Sequence, residues 1–241
     1  MASSSLVMNF DFFPVPLIIF FLWSVLYFIY NYFERYNKSL KLEASVKEIE
    51  LNNLKSQLNP HFIFNALNSI RALVDENPAK SKHAINLLSN ILRNSLVTEK
   101  KELTRFEDEL KVVKDYLGLE SIRFEERLKT EFDIDPDSHP FMVPPLMIQT
   151  LVENGIKHGI SKLTEGGIIQ ISAKIDSDYL KIHIRNSGQL QLNGARTKLP
   201  GLGIENTKQR LKLIYGKDAS FRILSENNNF VLTEIIIPHL Y

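Results

Sequence analysis

Cysteine is absent from all 241 residues, which excludes a disulfide scaffold and a thiolate metal site and fits a reducing compartment for the water-exposed part of the chain. Excess charge is absent as well. The 29 Lys and Arg against 28 Asp and Glu leave a formal net charge of +1, and with no basic stripe there is no electrostatic reason to expect nucleic acid as a direct partner. No internal repeat and no low-complexity tract occurs. Charged residues at 24% with hydrophobic residues at 44% give the composition of a chain that buries a core rather than one that stays disordered.

Charge is also missing locally, from Phe12 to Phe33, where the run LIIFFLWSVLYFIYNYF is dense in Leu, Ile and aromatics. A helix rising about 1.5 Å per residue needs roughly 20 apolar residues to cross the hydrocarbon layer, and the 22 residues of 12–33 meet that need. Nothing basic precedes the run and no small-residue cleavage site follows it, so it is expected to stay as a span rather than be cleaved as a signal peptide. Asp11 precedes it and Arg35, Lys38, Lys41 and Lys47 follow, an asymmetry that places the remainder of the chain in the cytoplasm. Trp23, Tyr27, Tyr30, Tyr32 and Tyr36 lean toward that side as an interfacial belt. The expected location is therefore the inner, cytoplasmic membrane, with a single span and residues 1–11 as a short extracytoplasmic flank. That flank is too short for an external sensor domain.

Glycine is missing from Glu34 to Val74, and Leu51, Leu54, Leu58, His61 and Asn65 step by three or four along one seam, as in a coiled coil or bundle. Pro60 removes a backbone donor and favours a kink just before His61. Asn77-Pro78 ends this helix, and a second is expected from about Ala79 to Val97 with Ile85, Leu88, Ile91, Leu92 and Leu96 on its apolar face. A hairpin of this kind cannot bury both faces alone, whereas two copies make a four-helix bundle, so a homodimer is expected. Thr104 with Glu107 reads as a capping box opening a third helix to about Glu126. From Leu128 the pattern changes. KTEFDID alternates, a helix is expected at Val143–Gly159, and IIQISAKI with YLKIHIRN and SFRILSE with FVLTEIIIP read as two hairpins around Asp176-Ser177-Asp178 and Asn227-Asn228-Asn229. With a further helix at Ile204–Tyr215, the fold class is α+β, ending in an α/β sandwich with helices on one face of the sheet. The expected organisation is a membrane helix at 12–33, signalling and dimerisation helices at 34–103, a connecting helix at 104–127 and a C-terminal domain at 128–241.

Four segments carry groups suited to chemistry. In LKSQLNPHFIFNALNSI the neutral imidazole of His61 is available to attack a phosphoryl group, although an isolated helical histidine is more often structural. In LMIQTLVENGIKHG the spacing of Gln149, Glu153, Asn154, Lys157 and His158 puts several polar groups on one helical face. Asn154 offers an oxygen to a hard cation and Lys157 offsets phosphate charge; a solvated helix face is the plain alternative. Asn186–Leu190 turns directly after a strand, and Gly201 and Gly203 open a helix, where backbone N–H groups and the helix dipole favour a phosphate. A tight turn explains the glycines equally well.

LNPHFIFNALNSI, VPPLMIQTLVENGIKHG and GLGIENTKQRLKLIYG together resemble the LytS/YehU-type sensor histidine kinases, over about Leu54 to Pro238. The catalytic half of that family is the Bergerat-type ATP-binding fold shared with gyrase B. The resemblance implies that His61 receives the γ-phosphoryl group of ATP and that Asn154 is the Mg²⁺ ligand. It implies further that Gln149, Glu153, Lys157 and His158 line the nucleotide pocket, that Gly201, Leu202 and Gly203 form the phosphate loop, and that Asn206 and Arg210 support the helix after it. Asn186, with Gly188 beside it, stands where relatives carry an adenine-binding aspartate, so a neutral acceptor replaces a charge-assisted one and weaker nucleotide binding is expected. Leu199-Pro200 stands where relatives often have an extra glycine and a threonine. Glu153 is the expected general base, because Phe62 occupies the position after the phosphoacceptor where other histidine kinases often have an acidic group. The implied partners are a second copy of the chain, the membrane and a response regulator of the LytTR type. Two rival readings are a dimeric nucleotide-binding scaffold without phosphotransfer and a membrane protein that binds a partner through its coiled coil.

Overall fold

The structure is a computed structural model, and it describes residues 14–57, 60–98, 101–189, 202–227 and 229–239. The chain forms two compact units, Met1–Gln57 and Leu58–Tyr241. In the first, α1 (Pro14–Gln57) is one helix of 44 residues. Within it, Pro16–Leu42 is long and apolar enough to cross a membrane, with a mean hydropathy of 1.6. That stretch runs beyond the expected end at Phe33, since Tyr36, Leu40 and Leu42 interleave with the basic residues and keep large apolar surface exposed. Phe12 lies outside the described residues.

In the second unit, α2 (Pro60–Glu76) begins on Pro60 itself, a first-turn position where the missing N–H costs nothing and the fixed φ suits a helix. The Asn77 Oδ1 atom accepts from the Lys80 N–H at 3.0 Å, and Pro78 is the first residue of α3 (Pro78–Thr98), so Asn-Pro acts as cap and first turn. Phe62, Ala66 and Ile70 of α2 bury against Ala84, Leu87, Leu88 and Ile91 of α3. Ile85, expected on that buried face, is exposed, and Leu87 fills the stripe instead. Leu58 lies outside the described residues.

The expected capping box does not form. Thr104–Arg105 is a short strand, β1, paired with β3 (Met142–Val143), Thr104 opposite Val143, so the Thr104 backbone is committed to a ladder. Helix α4 (Phe106–Phe124) starts without any side-chain cap; its first free N–H groups, on Phe106 and Glu107, donate to the carbonyls of Phe141 at 2.7 Å and His139 at 3.2 Å. The Glu107 carboxylate faces Arg105 at 3.4 Å. A 3₁₀ turn at Glu125–Arg127 follows.

From Leu128 the chain builds one five-stranded sheet in the order β2-β4-β5-β7-β6, from β2 (Leu128–Ile134), β4 (Gly167–Asp176), β5 (Tyr179–Ser187), β6 (Ser220–Glu226) and β7 (Phe230–Pro238). The pair β2–β4 is parallel and the others are antiparallel. Period-2 alternation decides which face is buried. Ile169, Ile171 and Ala173 of β4, Leu180, Ile182 and Ile184 of β5, and Ile235 and Ile237 of β7 are fully buried. Each such isoleucine contributes on the order of 2 kcal/mol relative to an exposed one. The opposite face carries cross-strand polar pairs, including Arg185–Glu226 at 2.6 Å, Lys174–Asp133 at 3.1 Å and His183–Glu234 at 3.2 Å. Helices α4, α5 (Met147–His158) and α6 (Leu202–Tyr215) complete the layer, and one hydrophobic core runs from Phe62 through Phe106, Tyr116, Ile148 and Ile182 to Ile237.

Helix α5 starts at Met147 rather than at Val143, because Val143 pairs with Thr104 in the small sheet and Leu146 turns into the left-handed region at φ +60°. The Phe62 ring packs on Tyr116 of α4 with centroids 4.9 Å apart, which joins the helical hairpin to the sheet domain. Replacing Phe62 by Ala removes that junction. The expected loss is about 3–5 kcal/mol in chemical denaturation, and a loss below about 1 kcal/mol would contradict the packing.

Candidate functional site

His61 is the second residue of α2 and is exposed, whereas Phe62 turns inward. One helical turn on, the Nδ2 atom of Asn65 lies 3.3 Å from Nδ1 and 3.4 Å from Nε2 of the imidazole. The amide therefore sits across the ring and limits its rotation while the ring stays open to solvent. Spacing of four residues puts the two side chains on one face.

Helix α5 carries most of the remaining expected site residues, and it has no cap of its own: Leu146 precedes it without a side-chain hydrogen bond. The cap comes from α4. Glu109 is 2% exposed and accepts from the Leu146 N–H at 2.6 Å and the Ile148 N–H at 3.2 Å. Free N–H groups at a helix start need such a partner when buried, and a carboxylate there also meets the positive end of the dipole. Burial pushes the Glu109 carboxyl from 4.5 up to about 7, against the lowering effect of those N–H bonds and of Arg210.

Successive residues of α5 diverge by about 100° and so face different neighbours. Thr150 donates its hydroxyl to the Leu146 carbonyl at 2.6 Å, and Asn154 donates Nδ2 to the Thr150 carbonyl at 2.7 Å. Because only the amide nitrogen can donate, the Asn154 Oδ1 is the oxygen left to accept or to ligate a cation. This side of α5 meets α6: a Cβ on Gly203 would stand 2.9 Å from the Thr150 methyl and 3.9 Å from Asn154 Nδ2. Gly203 thus brings the α6 backbone against the two polar residues. Gly201 lies outside the described residues, and Leu202 is the first residue of α6.

A second close approach is made by Asn186 at the end of β5, a residue that is buried. Its Oδ1 lies 3.0 Å from where a Cβ of Gly155 would be, and its Nδ2 donates to the Ser187 carbonyl at 3.0 Å. Gly159 leaves no room for any side chain against Asn186 and Ser187, and a Cβ on Gly188 (φ +134°) would fall 2.7 Å from the Gly159 Cα. Asn154, Asn186, Gly188 and Gly203 are thereby assembled around a single helix. Lys157 and His158 are exposed at its C-terminal end. Partial burial, with Lys157 and Lys162 nearby, holds the His158 imidazole below its ordinary value.

Gln149 and Glu153 lie four apart on another stripe of α5. Gln149 Oε1 is buried without a hydrogen-bond partner among the described residues. Glu153 acts electrostatically on Tyr116 and Glu120 of α4, so it faces the helix on which Phe62 is packed. Glu120, 3% exposed, is 3.2 Å from Arg123 through Oε2, an ion-pair contact whose angle gives that oxygen no hydrogen bond. Burial first, and the Glu153 charge besides, push its carboxyl from 4.5 up to about 7. Sequence reasoning placed Asn65 only on the bundle seam and missed Glu109, Tyr116 and Glu120. Acidic residues at positions of a helix that otherwise alternate with Leu, Val and Tyr on its inner face were the available signal.

A model of the family described as histidine kinase matches residues 49–128, which include α2, α3 and α4. The chain is 32% identical over 212 residues to the sensor histidine kinase YesM of Bacillus subtilis (strain 168), covering 85% of this chain and 36% of that protein. It is 30% identical over 204 residues to the sensor protein LytS of Staphylococcus epidermidis (strain ATCC 35984), covering 80% and 34%. The chain thus spans about a third of the length of these curated relatives. The histidine kinase domain of the Erythrobacter litoralis EL346 blue-light activated histidine kinase aligns at 14% identity with a TM-score of 0.45, over 78% of this chain and 93% of that one.

The raised Glu120 carboxyl fixes the sign of one pH effect. The unfolded chain releases this proton near 4.5 and the folded chain holds it to about 7, so the group costs stability as pH rises through that window. Glu120→Gln should match the wild type in thermal unfolding at pH 5 and exceed it at pH 8, by at most about 3 kcal/mol. Equal pH slopes in the two proteins would contradict the assignment.

Proposed function

The chain belongs to the family of LytS- and YesM-type sensor histidine kinases, and from that premise we propose that it is a membrane-anchored kinase which transfers the γ-phosphoryl group of ATP to His61. The observation that carries this reading is the double orientation of α5. Asn154 stands beside Gly203 of α6, while Glu153, one residue earlier, faces the α4 surface on which Phe62 is seated.

In this reading ATP would sit beside Asn154 at the start of α6, where Gly203 carries no side chain and the helix N-terminus favours phosphate. Asn186 Oδ1 would accept from the adenine amino group. Mg²⁺ would be held by Asn154 Oδ1, with its other ligands drawn from phosphate and water, and would offset charge on the transferring group. Lys157 adds a second positive charge at the helix end, joined by the Gly201–Gly203 backbone.

In the reaction a ring nitrogen of His61 attacks the γ-phosphorus in line. The P–N bond forms, the P–O bond to ADP breaks, and the ring proton passes to Glu153 as base. Asn65 holds the imidazole in place during attack. The phosphoryl group would then move to an aspartate of a response regulator, of the LytTR type. Residues 12–33 would cross the membrane, 34–103 would carry the signalling and dimerisation helices and 104–127 the connection to an ATP-binding domain at 128–241.

Incubation with Mg²⁺ and γ-labelled ATP should give acid-labile label on the wild type and none on His61→Gln. Bound but untransferred nucleotide would instead favour a scaffold, and no binding a coiled-coil interaction module. Dimerisation follows from the exposed face of the hairpin: Phe64, Leu67 and Val74 of α2 and Ile85 of α3 are 65%, 49%, 50% and 48% exposed, a stripe that two copies would cover in a four-helix bundle. Phe64→Asp with Leu67→Asp should raise the dimer dissociation constant more than tenfold in sedimentation, with the circular dichroism spectrum unchanged. A double variant that stays dimeric would contradict this interface.

A further inference from the structure

Arg210 of α6 reaches two places that are far apart in sequence. Its Nη1 donates to the Pro145 carbonyl at 3.1 Å, just before α5, and its Nη2 donates to the carbonyls of Lys101 at 3.2 Å and Glu102 at 3.3 Å, in the segment that leads from α3 to α4. The fixed planar fork of a guanidinium suits such a three-carbonyl arrangement, which an ammonium cannot reproduce. On its inner side Arg210 lies close enough to Glu109 for each charge to act on the other, and Glu109 in turn holds the first N–H groups of α5.

We infer that Glu109 and Arg210 form one coupling element, through which nucleotide seated between α5 and α6 controls the position of the Lys101–Glu102 segment and so the docking of the hairpin that bears His61. This rests on the kinase reading and adds its regulation. The inner half is fixed: Glu109 is buried and bonded to two backbone donors at the start of α5. The outer half is exchangeable, since the Lys101 and Glu102 carbonyls are exposed and water can replace the guanidinium there. Gly203 places the start of α6 against Thr150 and Asn154, so any ligand entering between them displaces α6, and Arg210, two turns further on, carries that displacement to the segment. A brace serving stability alone would have no need to divide its donors between α5 and the segment before α4. Glu109 and Arg210 are positioning residues in this scheme and touch no reacting atom.

The test uses the full chain in detergent micelles or lipid nanodiscs, with the non-hydrolysable analogue AMP-PNP and Mg²⁺ as ligand. Hydrogen exchange of a peptide spanning Lys101–Arg105 is followed with and without nucleotide in the wild type, Arg210→Lys and Glu109→Gln. Coupling predicts that nucleotide changes exchange of this peptide at least threefold in the wild type. Arg210→Lys should bind nucleotide within about threefold of the wild type yet lose that response, with kcat for His61 labelling lowered at least tenfold and KM for ATP little moved, whereas Glu109→Gln, which also frees the start of α5, should lose the response and bind nucleotide more weakly. A wild type that binds nucleotide without any change in this peptide would overturn the inference. So would variants that keep the response while melting temperature and nucleotide affinity fall together, the signature of a brace. If the wild type binds no nucleotide, the kinase reading itself falls and the inference with it, which separates the two failures.

Discussion

A twelve-residue helix that starts in the interior without a cap cannot stand unless another part of the chain satisfies its first N–H groups, and in this protein the Glu109 carboxylate does so for α5. The rest of the site depends on that bond. It fixes the register of α5 and therefore which way Thr150, Glu153 and Asn154 point. A neutral amide would offer one acceptor where Glu109 uses two oxygens, so the carboxylate tolerates burial in return for a geometry that no shorter or uncharged side chain supplies. The same carboxylate ties α5 to α4, and α4 in turn carries Phe62 on Tyr116.

Around α5 the site is made as much by missing side chains as by present ones. Gly155 and Gly159 let Asn186 of β5 lie directly on the helix, and Gly203 lets α6 close on Thr150 and Asn154. Strand, helix and helix thus approach at backbone distance. The polar groups left between them are amides whose nitrogens already donate within the protein, which leaves their oxygens as the remaining acceptors. The neutral Asn186 fits this arrangement, since its buried position at 6% exposure would charge a heavy desolvation cost to an aspartate.

The strands were legible because alternation on a half-buried sheet is a local property. The stretches 168–175, 179–186, 220–226 and 230–238 all fall within observed strands. The long apolar helix and the Asn77-Pro78 break were legible for similar reasons. What failed depended on partners distant in sequence. Thr104 was read as a cap, but Val143, paired opposite it, draws it into a strand, and that pairing also delays α5 to Met147. Glu109 and Glu120 stood out only as acidic residues on the apolar inner face of α4, and their roles could not be read because their partners are 37 residues away in Leu146 or face them from another helix. The packing of Phe62 on Tyr116, within the core that continues into the sheet, likewise joins residues far apart in sequence.

The central claim is that α5 has two separable faces, one for nucleotide at Asn154 and one toward the hairpin at Glu153. Calorimetric titration of Mg–ATP into Asn154→Ala and Glu153→Gln, side by side with the wild type, tests it most directly. The account predicts wild-type affinity in Glu153→Gln and at least a tenfold loss in Asn154→Ala; the reverse order, or equal affinity in all three, would contradict it.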